Sequence, residues 1–457
     1  MELAGRFVVV AGLGVSGLAA ARLLAARGAR VTVSDSRPSA ELAREAAKLP
    51  AGVALEGGGN RAATFAQADL VVLSPGVPPQ IAPVREAAKR GAEIIGEFEL
   101  ACRFIRTPIA AVTGTNGKTT TTRLLAHLLA GSGRKVFCGG NIGTPLSDYA
   151  LGPQEADLVV AEVSSFQLDT CTTFRPRVAV LLNVTPDHLD RYPSLEAYAR
   201  SKGSIFARQA EGDVAILNED DPWTPLLSRN LKANCLTFSS SRAPLPRGAY
   251  LEGSHITLGP GVLPRFAGHS LPPITFPITS LKLKGRHNLE NAMAALLAAV
   301  SLGAEPERLK EPLASFAPLP HRVELVRRLK EVSFYNDSKG TNVDAVVRAL
   351  QAVPSPVVLI AGGRDKGGGY RELAQAVAGR VVGVVTLGEA APLIERDLNG
   401  LVPVQRAASM EEAVERAWTV CPRPGTVLLS PACSSFDMYD NYAQRGDHFR
   451  RVVEGLA

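Results

Sequence analysis

None of the six cysteines sits in a C-x-x-C pair; Cys102, Cys138, Cys171, Cys235, Cys421 and Cys433 are scattered along the chain. That argues against a zinc site and against a disulfide framework, and it reads the thiols as reduced core residues of a cytoplasmic protein. No uncharged apolar stretch reaches the ~20 residues that a membrane span needs. Nor is there a dense Lys/Arg block with interleaved aromatics, so no nucleic-acid partner is expected. The first residues, Met1-Glu2-Leu3-Ala4-Gly5-Arg6, run directly into a strand-like segment, which is not a signal-peptide pattern.

What is present is ordinary in amount and unusual in arrangement. The 457 residues carry a net charge of +6, a modest excess that suits small anionic ligands. At roughly 150 residues per domain the length predicts three domains, with apolar material for several cores.

One stretch stands out. Ile109 to Val112 reads as a buried strand, and Thr121 to Leu129 has the apolar spacing of a helix. Between them lie Thr113, Gly114, Thr115, Asn116, Gly117, Lys118, Thr119 and Thr120. Strand, Gly-rich turn ending in Gly-Lys-Thr, and helix is the layout of a nucleotide-phosphate cradle. Glycines let several N–H groups point at one anion, and the helix start adds partial positive charge. Lys118 adds a full charge, and Thr119 offers a hydroxyl to Mg²⁺. The general pattern has a glycine five residues before Gly117, where this chain has Val112, so the loop is a variant of that pattern.

The chain divides into three sections. In residues 1–96, the strand Arg6–Ala11 leads into Gly12-Leu13-Gly14-Val15-Ser16-Gly17 and a helix, and a second strand ends at Asp35, Ser36 and Arg37. This G-x-G-x-x-G arrangement predicts a diphosphate-bearing ligand at a helix start, which NAD and a UDP-sugar satisfy equally. Another strand ends in Ser74-Pro75-Gly76, at the same sheet edge. Residues 97–317 hold the phosphate loop, then strands ending at Glu162 and before His188, with Ser239–Ser280 read as loops or a small β insert. Residues 318–457 repeat the α/β alternation, and polar residues follow the strands: Asp337, Ser338, Lys339 and Thr341, then Arg364 and Lys366, then Ser434 and Ser435. Such clustering suits a small anionic substrate.

Taken singly, the candidates admit two readings. Glu162 is a metal-binding acid or a solvated loop acid. His188, between Asp187 and Asp190, is a ligand or a structural histidine. Lys202 by itself reads as a solvated helix lysine. Asn288 and Asn291, one turn apart, read a base edge or solvate their helix. Lys366 clamps a carboxylate or is a surface charge. An NAD-linked oxidoreductase would leave the phosphate loop unexplained, and a non-catalytic nucleotide-dependent regulator is the other alternative.

In order along the chain, Thr113-Gly114-Thr115-Asn116-Gly117-Lys118-Thr119-Thr120, Gly140-Asn141-Ile142-Gly143, Glu162-Val163-Ser164-Ser165, Asn183 to Arg191, Gly285 to Asn291, His321-Arg322-Val323-Glu324 and Asn336 to Asn342 resemble the motifs of the Mur ligase family. These are ATP-dependent amide-forming enzymes of peptidoglycan precursor synthesis. The first section, with Ser36 where the family usually has Thr, and Leu429 to Asp437 resemble the D-glutamate-adding branch. The Asp-Asn-Pro-Arg motif of the diamino-acid-adding enzymes is absent, and Gly363-Arg364-Asp365-Lys366 stands in its place.

The resemblance implies an α/β fold of three domains: an N-terminal Rossmann-like domain, a central P-loop ATPase-like parallel sheet with a small β insert, and a C-terminal Rossmann-like domain. It implies ATP and two Mg²⁺ ions, one on Thr119 and Glu162, the other on His188 and a carbamylated Lys202. Lys118 and the loop residues Gly114 to Thr120 would hold the phosphates, Arg322 the γ-phosphate, Asn288 and Asn291 the adenine, and Asp337 the ribose. Asn141 and His188 would face an acyl phosphate. UDP-N-acetylmuramoyl-L-alanine would meet Gly14, Val15, Ser16, Gly17, Asp35, Ser36, Arg37, Ser74, Gly76, Asn141, Ser164 and His188. D-Glutamate would meet Lys339, Thr341, Lys366, Ser435, Phe436 and Tyr442. A monomer is expected, with no nucleic acid and no membrane span.

Overall fold

The computed structural model describes residues 1–262, 273–283, 285–367 and 369–457. Among these residues three sheets form in chain order. The first contains β1 (Phe7–Ala11), β2 (Arg30–Ser34), β3 (Ala54–Glu56), β4 (Leu70–Leu73) and β5 (Glu93–Gly96) in the order β3-β2-β1-β4-β5, all parallel. Val8, Val9 and Val10 are fully buried, as expected for a strand covered on both faces. Because β2 and β4 flank β1, a crevice opens at its carboxyl end, where Gly12 to Gly17 lies.

The second sheet contains β6 (Ile109–Thr113), β7 (Val136–Gly140), β8 (Leu158–Glu162), β9 (Val178–Leu181), β10 (Val214–Asn218), β11 (Asn234–Ser239), β12 (Gly248–Glu252), β13 (His255–Leu258) and β14 (Ile274–Pro277). Its order is β14-β13-β12-β11-β10-β9-β6-β8-β7. Pairing is parallel from β7 through β12, then antiparallel across β12, β13 and β14. The Pro- and Gly-rich stretch Ser239–Ser280 therefore extends the sheet rather than standing apart from it; residues 263–272 of that stretch lie outside the described residues. Here β6 lies between β9 and β8, so the phosphate loop leaves the sheet at a second switch point.

The third sheet contains β15 (Glu324–Leu329), β16 (Val332–Asn336), β17 (Val357–Gly362), β18 (Val381–Leu387), β19 (Val404–Arg406) and β20 (Gly425–Leu429), ordered β15-β16-β20-β17-β18-β19. Among the described residues of this sheet, only the β15–β16 pair is antiparallel. Alternation sends Val357, Leu359 and Ala361 into one core, and Val358 and Ile360 into the core on the opposite face.

The chain forms two compact units. One comprises Met1–Asn183, Ala199–Pro277 and Glu290–Leu313; the other comprises Val184–Tyr198, Ile278–Leu289 and Ala314–Ala457. The first two sheets share a unit because the helices Val15–Ala26 and Glu97–Cys102 pack on Leu146–Leu151. Glu97 Oε1 accepts the Ser147 N–H at 2.9 Å inside that packing. The segment bearing His188 belongs with the third sheet instead.

Candidate active site

In the first unit the phosphate loop is built on glycine geometry. Gly114 (φ +150°) and Gly117 (φ +85°) adopt backbone that L side chains rarely take. A Cβ on Gly117 would strike the Asn291 amide. The loop is braced by Asn183: its carbonyl accepts the Thr115 N–H at 2.9 Å, and its Oδ1 accepts the Asn116 N–H at 2.8 Å. Gly117 then caps the helix Lys118–Gly131, whose first N–H groups face the loop. Lys118 Nζ donates to the Gly114 and Thr115 carbonyls at 2.9 and 2.8 Å, which draws the ammonium over the cradle.

Glu162, at the end of β8, is buried, so it is not a solvated loop acid. Its Oε2 accepts from Thr119 Oγ1 at 2.7 Å, and its Oε1 accepts from Asn141 Nδ2 at 2.8 Å. Asn141 lies in the turn after β7, held by its own N–H on the Glu162 carbonyl at 2.9 Å. The register that pairs Gly140 with Glu162 brings these two strand ends together.

Lys202 departs from its residue-level reading. It is only 1% exposed, and Nζ donates to the Gly114 carbonyl at 2.9 Å. The last turn of the helix Leu195–Gly203 delivers it under the phosphate loop, which spacing along one helix could not reveal. Asn291 is buried as well; its Oδ1 accepts from Thr121 Oγ1 at 3.2 Å, so it packs on the loop rather than solvating its helix. Ser164 caps a short turn after Glu162, with Gln167 completing a reciprocal capping box.

At the carboxyl edge of the first sheet, a Cβ on Gly17 would fall on the Gly12 carbonyl, which explains the third glycine of the fingerprint. Ser74 Oγ donates to the same carbonyl at 2.9 Å. Gly14, Val15 and Gly76 are exposed along this edge. Asp35 accepts four hydrogen bonds. The Leu13 N–H and Arg37 Nη2 reach Oδ2 at 2.7 and 3.0 Å, and the Arg37 N–H and Nε reach Oδ1 at 2.9 and 3.1 Å. Burial pushes this carboxyl up, but the Arg37 side chain and the two backbone N–H groups outweigh it and hold Asp35 below the usual carboxylate range. Four bonds fill the acceptor capacity of a carboxylate. Asp35 therefore orients Arg37 and the glycine loop.

In the second unit, three loops follow β16, β17 and β20. Asp337 directly follows β16; its carboxylate accepts from Ser430 Oγ at 2.7 Å and from the Val323 N–H at 3.3 Å. Burial pushes its pKa up to about 7, against the pull of Ser430 and the Arg322 charge. Lys339 Nζ lies 4.6 Å from the Tyr442 ring centre and 3.2 Å from its hydroxyl. Lys366 Nζ meets Asp187 Oδ1 at 3.3 Å and Thr341 Oγ1 at 3.5 Å, so it is not a free surface charge. Asp187 Oδ2 also accepts from Asn342 Nδ2 at 3.1 Å. His188 takes a positive φ of +55°, and its N–H donates to Asp187 Oδ1 at 3.0 Å. Asn288 is half-buried near the start of its helix. Ser435 is buried and Phe436 is 63% exposed, so only the latter presents its side chain to solvent.

Arg445 escaped the sequence reading. It is 2% exposed and donates to the carbonyls of Ser338, Cys433 and Ser434 at 2.9, 3.2 and 3.3 Å, and to Ser338 Oγ at 3.0 Å. It thereby bolts the loops after β16 and β20 together, and burial lowers its pKa to about 10. Its only signal in the sequence is a charged residue on the inner face of the amphipathic helix Tyr442–Glu454.

Comparison with known proteins matches this architecture. A Mur ligase MurD-like N-terminal domain model matches residues 6–96, a Mur ligase middle domain model 112–299, and a Mur ligase glutamate ligase domain model 321–433. The UDP-N-acetylmuramoylalanine–D-glutamate ligase of Desulfosudis oleivorans is 46% identical over 457 residues, covering 100% of this chain and 98% of the relative. The protein of the same name from Desulfatibacillum aliphaticivorans is 45% identical over 459 residues, covering 100% of both. Among solved structures, the UDP-N-acetylmuramate–alanine ligase of Thermotoga maritima aligns with a TM-score of 0.60 at 20% identity, over 98% of this chain and 99% of that one. At that identity the likeness concerns the fold alone. With three domain models in order and near-half identity to relatives along its whole length, the chain belongs to the Mur ligase family.

Proposed function

We propose that this chain uses ATP to join the amino group of D-glutamate to the alanine carboxyl of UDP-N-acetylmuramoyl-L-alanine, in cytoplasmic peptidoglycan precursor synthesis. The observation that carries the reading is the 46% identity, over the whole chain, to a ligase named for those substrates. The Thr119–Glu162–Asn141 constellation beside the phosphate loop supports it.

A free carboxylate resists amines because its charge repels them and oxide is a poor leaving group. In the proposed sequence the alanine carboxylate attacks the γ-phosphorus in line, and the bond from that phosphorus to the bridging oxygen breaks to release ADP. The glutamate amine then attacks the acyl carbon. The tetrahedral adduct loses phosphate, and the nitrogen loses a proton, leaving the amide. Positioning and charge neutralisation are the protein's main contributions. Lys118, Arg322 and the N–H groups of Gly114 to Thr120 hold the phosphates. Asn288 and Asn291 serve the adenine and Asp337 the ribose, while Asn141 and His188 face the acyl phosphate.

Among the described residues no three His, Cys, Asp or Glu side chains gather into a metal cluster. Mg²⁺ at a nucleotide does not need one, since one or two carboxylates plus phosphate oxygens suffice. The hydroxyl of Thr119 and the carboxylate of Glu162, 2.7 Å apart, are hard oxygen donors that fit such an ion. When bound, Mg²⁺ would neutralise charge on the transferring phosphoryl group. We assign a second ion to His188 and Lys202, the latter as a carbamate, on the likeness of these motifs to the family's; Lys202 is buried beside the phosphate loop.

We assign the UDP-sugar to Gly14, Val15, Ser16, Gly17, Asp35, Ser36, Arg37, Ser74 and Gly76, with Asn141, Ser164 and His188 toward its alanine. D-Glutamate is assigned to Lys339, Thr341, Lys366, Ser435, Phe436 and Tyr442. Domain boundaries are placed at 1–96, 97–317 and 318–457, and the working form is a monomer. Mass spectrometry of the reaction tests the proposal: a nucleotide product heavier by one glutamate less one water should accumulate in step with phosphate. Phosphate release without that product would refute it and favour a nucleotide-dependent regulator.

A further inference from the structure

Among the residues assigned to the amino acid, Lys366 is carried on the most glycine-rich loop, Gly362 to Gly369, and a mobile ammonium is a poor clamp for a carboxylate. The structure shows how that loop is held. Asp365 Oδ2 accepts the Gly367 N–H at 3.0 Å, which closes a tight turn with Lys366 at its apex. Gly367 continues from the turn with a positive φ of +76°. The other carboxylate oxygen, Oδ1, accepts from the Tyr370 hydroxyl at 2.8 Å.

Tyr370 is 2% exposed, and its hydroxyl oxygen lies 3.0 Å from the buried Cys433 Sγ. The phenol thus donates to Asp365 and accepts from the thiol, which satisfies all three groups. Cys433 sits two residues before Ser435, in the loop after β20. A backbone bridge joins the same two loops, with the Arg364 N–H on the Ser434 carbonyl at 3.0 Å and the Ser434 N–H on the Arg364 carbonyl at 3.1 Å. The bridge fixes the start of the glycine loop, and the phenol fixes its apex.

We infer that Tyr370 is a positioning residue for amino-acid recognition: its hydroxyl locks the Asp365–Gly367 turn to the Cys433 loop, and so fixes Lys366 where it can take a carboxylate of the incoming amino acid. The inference rests on the proposed function and deepens it. Tyr370 touches no substrate in this account; it acts through Asp365 and Lys366.

The test is steady-state kinetics of Tyr370→Phe, Asp365→Ala and the double variant in the full chain, with thermal unfolding recorded for each. Phenylalanine keeps the buried ring and removes only the hydroxyl, so the fold should persist. One lost hydrogen bond to a charged group predicts a rise of about tenfold in the KM for D-glutamate for Tyr370→Phe, with kcat and the KM values for ATP and the UDP-sugar changing less than about twofold. Asp365→Ala should raise the same constant at least as much, and the double variant should be no worse than Asp365→Ala alone. An unchanged KM for D-glutamate in Tyr370→Phe, a parallel rise in all three Michaelis constants, or fully additive effects would overturn the inference. If the wild-type chain releases no phosphate in response to D-glutamate, the functional reading itself fails, and this inference falls with it.

Discussion

Several single side chains are changed in what they can do by their surroundings. Lys202 is the clearest case. On its helix it looks like any solvated lysine, yet it is buried with its ammonium on the Gly114 carbonyl. Lys202→Ala should abolish turnover while ADP still binds. A carbamate signal from ¹³CO₂ should be present in the wild type and absent from the variant, and full activity in Lys202→Ala would remove the second-ion assignment. Lys118→Ala should lose phosphate release altogether, because the cradle then lacks its only full positive charge from the loop itself. Asp337 gives a prediction about pH. Burial raises its pKa from 3.8 to about 7, so the folded state holds this proton more tightly than the unfolded chain does. The resulting stability is fully present below pH 3.8 and is lost as pH rises through about 7. Asp337→Asn should remove that part of the pH dependence, which urea midpoints measured between those limits would show. His287 works in the opposite direction: burial, with Arg348 and Arg322 nearby, depresses it from 6.5 to about 4, so its contribution is present above pH 6.5 and is lost on acidification through 4.

At the scale of elements, much was legible in the sequence. Valine-rich runs such as Phe7–Ala11 and Val357–Gly362 announced buried parallel strands, and the glycines before Lys118 announced the loop. What the sequence hid was contact across elements. Nothing near Arg445 indicates that its guanidinium will meet carbonyls more than a hundred residues away at Ser338. Nothing near Asp35 indicates that four donors will fill its carboxylate and make it a scaffold for Arg37. The β insert was legible as strand-like runs, but its pairing onto β11 was not, because register is decided by the partner strand. Helix ends give a separate stability prediction. Ser409 caps Met410–Val420 by accepting the Glu412 N–H at 3.3 Å, and the Glu412 carboxylate accepts the Ala408 N–H at 2.7 Å in return. Ser409→Ala should lower the unfolding free energy by about 1 kcal/mol and leave kcat unchanged, since the cap touches no candidate site residue.

For the whole molecule, order along the chain carries as much information as any single motif. Each of the three sheets sends glycine-rich or polar loops from the carboxyl ends of its parallel strands, where ligands of such folds bind. The first sheet offers a glycine loop for a diphosphate, the second a phosphate cradle beside Glu162, and the third a set of loops bearing Lys339 and Lys366. In the proposed reaction a free acid, a triphosphate and an amino acid are the three reactants, one for each set of loops. The choice of amino acid rests on the third set of loops and on likeness to named relatives, which makes it the central claim to test. The most direct measurement is phosphate release with ATP, Mg²⁺ and UDP-N-acetylmuramoyl-L-alanine, comparing D-glutamate with L-glutamate, L-lysine, diaminopimelate and L-alanine. Turnover is expected with D-glutamate alone; equal or faster turnover with any of the others would contradict the proposed function.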